Sequence, residues 1–150
     1  MLPNEIIRRR RESLGFDPDT LADKVKVSRT NYWDIESTPD EILDATSVIN
    51  VLRVLKTLNL RPQEVFEEPR NYPILAKATN FGELHQVLKN TLSRSSESVE
   101  VFGNRVGWGV EDFLKDPEAG YLWNLSGMCA ICAALNVDWI VVLEGQIKNV

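Results

Sequence analysis

The sequence predicts an all-α protein made of two small five-helix units in tandem, the second a degenerate copy of the first. Three observations lead there. Apolar residues recur at helical spacing through most of the chain. The stretch Pro69-Arg70-Asn71-Tyr72-Pro73 breaks that periodicity near the middle, and the apolar pattern before the break returns after it. A length of 150 residues suits one ordinary domain or two small ones, and a hydrophobic share of 43% suits a folded soluble chain. No apolar run approaches the ~20 residues of a membrane span. The opening MLPNEIIRRRRESLG holds its charges inside a helical pattern with no apolar stretch after them, so it does not read as a signal peptide. A cytoplasmic location without a membrane partner is the expectation.

The first helix is expected from about Pro3 to Leu14, with Ile6, Ile7, Arg10 and Leu14 on one face and Gly15 as its C-cap. Residues 17–36, DPDTLADKVKVSRTNYWDIE, then read as two short helices joined by a tight turn. Asp17 and Pro18 are N-cap and first-turn residues, and Leu21, Ala22 and Val25 keep helical spacing. Val27 fills the turn, Ser28 is a second N-cap, and Tyr32 and Ile35 form the apolar side of the next helix. After a loop at Ser37-Thr38-Pro39-Asp40, Val48, Val51, Leu52, Leu55 and Leu58 mark a longer helix, and Pro62 to Phe66 a short fifth one. The first unit therefore spans residues 1–68. Residues 69–78 form the linker, because its paired prolines disfavour helix. Residues 79–150 form the second unit.

The repeat can be laid out by residue. Leu84, Leu88 and Leu92 fall on Ile6, Arg10 and Leu14; Phe102, Val106, Trp108 and Phe113 fall on Leu21, Val25, Val27 and Tyr32. Leu135-Asn136-Val137 falls on Leu58-Asn59-Leu60, and Val142-Leu143-Glu144 on Val65-Phe66-Glu67. Two small changes of loop length are needed.

The motif in residues 17–36 is a helix-turn-helix whose second helix exposes Arg29, Thr30 and Asn31 close to its N-terminus, the end that enters a DNA major groove. With all five helices placed, residues Asn4 to Glu67 resemble the Cro/lambda-repressor-like helix-turn-helix family. The resemblance lies in IIRRRRESLGF, LADKVKVSRTNYWDIE and VLRVLKTLNLRPQEVF. It implies a dimeric regulator of transcription, in the first instance a repressor, bound to double-stranded operator DNA. By the same resemblance Arg29 and Thr30 read base edges, with Asn31 and Asp34 next along the exposed side. Arg can bond guanine O6 and N7 bidentately, and Asn can do the same to adenine. Ser28, Lys26, Arg11 and Arg8 are candidates for the DNA backbone, and Arg10 with Glu36 matches a structural ion pair between the first helix and the end of the recognition helix. Two departures stand out. Pro18 occupies a position where the family often has a phosphate-binding Gln, and Lys26 one where the turn usually has Gly, so a non-glycine residue is expected in left-handed backbone.

The net charge of −5 is unfavourable for a DNA binder, but the distribution matters more than the total. Arg8, Arg9, Arg10, Arg11, Lys24, Lys26 and Arg29 cluster before and within the motif. At the positions of Ser28 to Asn31 the second unit carries Gly109, Val110, Glu111 and Asp112, a face that phosphates would repel. Trp108, Trp123 and Trp139 are core or interface candidates there, and the second unit is assigned to self-association or to a protein partner.

Catalysis finds no support. Cys129 and Cys132 stand alone at helical spacing, without the second ligand pair that zinc requires, and read as small buried hydrophobes. His85 is the only histidine and has no Cys or Ser partner that the sequence can place beside it. Neither a metal nor a cofactor is expected. The competing reading is a protein-interaction adaptor, or an antitoxin-like regulator, in which both helix-turn-helix units serve as scaffolds. A thiol-sensing regulator is a more distant third.

Overall fold

The computed structural model describes residues 1–66 and 70–150, and among these the chain is helical with no strand. In the first half α1 (Pro3–Ser13), α2 (Pro18–Val25), α3 (Arg29–Ser37), α4 (Glu41–Asp44), α5 (Val48–Thr57) and α6 (Pro62–Val65) follow one another. Proline opens α1, α2 and α6, where its fixed φ suits the first turn and its missing N–H has no helical partner to lose. The C-cap of α1 is Leu14, one residue before the expected Gly15, and Gly15 follows it in left-handed backbone at φ 77°, the conformation that glycine favours just past a helix end. The turn α4, which buries Ile42, adds a sixth helix to the five expected.

The register of α1 differs from the expected one by a residue. Its buried side chains are Asn4, Ile7 and Arg11, whereas Leu14 is exposed and Ile6 and Arg10 are half-buried. Four successive arginines supply no hydrophobic contrast, so periodicity alone cannot tell which of them turns inward.

The second half runs α7 (Phe81–Ser95), α8 (Val99–Val106), α9 (Glu111–Lys115), a 3-10 helix (Pro117–Leu122), α10 (Leu125–Ala134), α11 (Trp139–Gln146) and a terminal 3-10 turn (Ile147–Asn149). Positions in it match positions in the first half in burial and backbone. With the register of α1 moved by one residue, Leu84 and Leu88 match the buried Ile7 and Arg11 and not Ile6 and Arg10 as expected, and Phe102 and Phe113 are buried as Leu21 and Tyr32 are. Asn59 and Asn136 both take positive φ, at 52° and 56°, one residue before the buried Leu60 and Val137. Left-handed backbone also recurs at Gly15 and Ser96, and at Lys26 and Gly107. The two adjustments of spacing fall inside helices. α7 has 15 residues against 11 in α1, and α9 has 5 against 9 in α3. The second half thus gains about one helical turn in its first helix and loses about one in its third.

The halves do not stand apart. The boundary expected near Glu68 and Pro69 lies outside the described residues, but from Arg70 onward the expected linker is bound to the second half. Arg70 Nε donates to Asp138 Oδ1 at 2.8 Å, Tyr72 Oη to Val137 O at 2.7 Å and Leu75 N to Asn136 O at 2.8 Å. A single hydrophobic core continues from Ile7, Leu21 and Leu55 in one half to Phe102, Leu125 and Val142 in the other. Close approach of Thr79 to α11 makes Gly145 obligatory, because a Cβ there would lie 1.5 Å from Thr79 O.

Candidate nucleic-acid interface

The site is set by two caps and a turn. Asp17 Oδ1 accepts from Thr20 N at 2.9 Å at the start of α2, and Ser28 Oγ accepts from Asn31 N at 3.1 Å at the start of α3. Between them Lys26 has φ 61° and ψ 39°, the left-handed turn anticipated for it. Leu21, Ala22, Val25, Val27, Tyr32 and Ile35 are buried and lock α2 against α3. What remains outward at the first turn of α3 is Arg29, Thr30 and Asn31, all exposed, with Ser28 and Lys26 also exposed beside them. No acidic residue sits in that first turn.

Arg29 is held within the protein. Its Nη2 lies 2.8 Å from Asp23 Oδ2 and its Nη1 lies 3.6 Å from Asp19 Oδ2. The hydrogen bond to Asp23 raises the pKa of the guanidinium above its ordinary value and holds that carboxyl below the usual range. Arg29 is 61% exposed in its side chain, so this is a solvent-screened clamp that a stronger anion could displace. Spacing alone could have flagged it, since Asp19 and Asp23 share one face of α2. The sequence reading also passed over Trp33, which is 62% exposed on the same helix one turn beyond Arg29.

Two assignments in the arginine run are corrected. Arg10 does not pair with Glu36. Its Nη1 donates to the carbonyls of Leu58 and Asn59 at 3.1 and 2.9 Å, where it caps the C-terminal end of α5. Arg11 takes the pair instead, its Nε and Nη2 donating to Glu36 Oε2 and Oε1 at 2.7 and 2.9 Å, and its Nη1 to Phe16 O at 2.8 Å. Both partners are buried, each only 8% exposed, so Arg11 is not a phosphate contact. The physical reason is the one-residue register of α1, which turns Arg11 inward over α3. Asn4 Nδ2 joins this layer by donating to Glu36 O at 3.1 Å. Tyr32 lies beside it, its pKa pushed upward by burial. Arg8 is exposed and takes no part in an ion pair among the described residues. Lys26 shares a depression of about 180 Å³ with Lys24, Arg53 and Lys56, and none of the four forms an ion pair among the described residues.

In the second half the equivalent helix presents a different surface. Val110, at the position of Arg29, is fully buried and not part of an outward face, while Glu111 and Asp112 are exposed in the first turn of α9. The three tryptophans are each half-buried and packed on the core. Trp108 covers Gly127, whose added Cβ would come within 2.9 Å of the indole; Trp123 lies 4.6 Å from Phe113; Trp139 lies 5.2 Å from Phe66 of the first half. Trp139 thus meets the chain's own first half.

The remaining candidates are Cys129, Cys132 and His85. Burial pushes the Cys129 thiol up to about 12 and Cys132 further in the same direction, so both stay protonated at neutral pH. They occupy the places that Leu52 and Leu55 hold in α5. His85 Nε2 lies 2.8 Å from Leu114 O. Among the described residues no group of acids, histidines and cysteines could hold a metal ion, and no helix is long and apolar enough to cross a membrane. No protein-family model matches the chain, and no curated protein or solved structure matches it.

Proposed function

We propose that this protein is a sequence-specific DNA-binding regulator of transcription, in the first instance a repressor, built as two lambda-repressor-like helix-turn-helix units of which only the first reads DNA. The observation that carries the reading is the first turn of α3. Arg29, Thr30 and Asn31 stand exposed together behind a Ser28 cap, on a helix whose other side is locked into the core. Such a turn enters a major groove N-terminus first, with the base-reading groups on three successive residues. Lys26 and Arg8 are the proposed backbone contacts, joined by Lys24. In this role Arg29 exchanges Asp19 and Asp23 for a guanine edge, and repression follows from occupation of the operator.

The test is Arg29→Ala in the full chain, with circular dichroism to establish that the fold is kept. Expected is a loss of preference for selected over random duplexes in a gel-shift assay. Unchanged affinity for the selected duplex refutes the assignment.

One pair of observations favours a protein-interaction adaptor instead: Arg29 already has two carboxylate partners, and Trp33 is exposed beside it. Retention of the full chain on immobilised duplex DNA at low salt, lost at moderate salt, decides for regulation; absence of retention decides for the adaptor.

A further inference from the structure

We propose that the chain is an internal pseudo-dimer: its second half already occupies the two-fold surface that another copy would need, so one chain meets DNA alone, on a site without inverted symmetry. The asymmetry of the site rests on the DNA-binding reading above; the internal pairing does not.

The pairing is read from contacts that exchange under the repeat. Thr46, Ser47 and Val48 correspond to Trp123, Asn124 and Leu125 at the spacing that relates Asn59 to Asn136. Val48 N donates to Trp123 O at 2.7 Å, and Leu125 N donates to Thr46 O at 3.3 Å. Ser47 and Asn124 form an antiparallel bridge between these two bonds. A segment that pairs with its own counterpart by exchanging bonds marks a two-fold axis, the symmetry of an isologous dimer. The surrounding packing obeys the same axis. α4 packs on α10 while its counterpart, the 3-10 helix Pro117–Leu122, packs on α5; α5 meets α10, and α6 meets α11. The axis region is apolar and closed, with Val48 and Leu125 fully buried and Phe66 against Trp139. Polar links tie its rim: Ser126 Oγ donates to Asp44 Oδ1 at 2.6 Å, and Arg61 Nη2 lies 2.7 Å from Glu144 Oε1.

This two-fold body carries one reading head. α3 has 9 residues and exposes Arg29, whereas α9 has 5, buries Val110 and exposes Glu111 and Asp112. A second groove contact from α9 would bring two carboxylates toward phosphates, which is repulsive. The surface that could recruit another α3 by the same axis is the one closed by α10 and α11. The occupant that the geometry selects is therefore one duplex bearing a single, non-palindromic recognition element.

Two measurements on the full chain decide the matter. Sedimentation equilibrium across the micromolar range is expected to give one species of 17.0 kDa; a species of twice that mass overturns the internal pairing. Selection of bound duplexes from a random library, followed by mass determination of the complex, is expected to give a consensus without inverted repeat and one chain per duplex. An inverted repeat carrying two chains overturns the inference and leaves the DNA reading standing. Failure to enrich any duplex overturns the DNA reading and with it the asymmetric site, while sedimentation still decides the pairing.

Discussion

The third helix of the first half and its counterpart in the second share a scaffold and differ in everything that faces outward. In α3 the side chains that pack inward are Tyr32 and Ile35, and the first turn offers Arg29, Thr30 and Asn31 to solvent behind a Ser cap. In α9 only Phe113 is buried within the helix, the N-cap Val110 has no side-chain cap bond, and the exposed first turn is acidic. Core positions are tied to many neighbours at once, so they are kept in both halves. Exposed positions have no such restraint and are free to diverge. The comparison teaches that in this repeat the fold is carried by the buried half of each helix and any recognition by the other half.

The largest expected effect concerns how each half supports its third helix. The first uses the buried Arg11–Glu36 pair, where the second has the apolar Leu88 at the place of Arg11. Glu36→Ala is expected to remove roughly 3–5 kcal/mol by leaving a buried guanidinium unpaired. Leu88→Ala is expected to remove about 2–5 kcal/mol by opening a cavity. Urea denaturation checks both, and a loss under ~1 kcal/mol for Glu36→Ala would remove the pair from the account of α3.

Alkaline pH should separate α5 from α10 next, beside a fall that the buried Tyr32 adds in the first half. Leu52 and Leu55 in α5 do not titrate; Cys129 and Cys132 in α10 do, with folded values raised above the ordinary 9.0. A raised acid holds its proton longer in the folded state, so its stabilising share is complete below pH 9 and is lost as pH climbs toward about 12. Under reducing conditions stability is expected to fall across that window, and Cys129→Ala to flatten the fall. A profile already flat in the native chain contradicts the burial of these thiols.

A smaller effect is expected from Asp23→Asn, which releases Arg29 from its tightest clamp. Affinity for a selected duplex should rise by up to about fivefold, the worth of an exposed ion pair. A decrease in the gel-shift assay would make Asp23 a positioning partner of Arg29 and not a competitor. The smallest effects lie at the equivalent turn residues Lys26 and Gly107, both in left-handed backbone. Lys26→Gly should stabilise by at most about 1 kcal/mol and Gly107→Ala destabilise by about as much, since only glycine enters that region without steric strain. Thermal melts of the two variants should shift in opposite directions.

Much of this molecule is legible along the chain. Helix ends are local matters of hydrogen bonding, so Asp17, Ser28, Pro3, Pro18, Pro62 and Gly15 announce them wherever the chain later packs. The recurrence of apolar positions along each half is legible for a similar reason, since each helix must bury one stripe. The exposure of Arg29 to Asn31 follows from the same periodicity.

Three-dimensional packing decided the rest. Which of four adjacent arginines turns inward depends on where α3 and the end of α5 come to lie, and Arg10 and Arg11 accordingly find partners distant in sequence. The partner of the tryptophan-rich half is likewise a question of surfaces meeting, and Trp139 meets Phe66 of the same chain. The sequence alone was enough for the helices and their caps, because those arise from neighbours a few residues apart. That the two halves pack into one continuous core, with Val48 bonded to Trp123 and Leu125 to Thr46, is a matter of tertiary structure, because it depends on the fit of two folded surfaces.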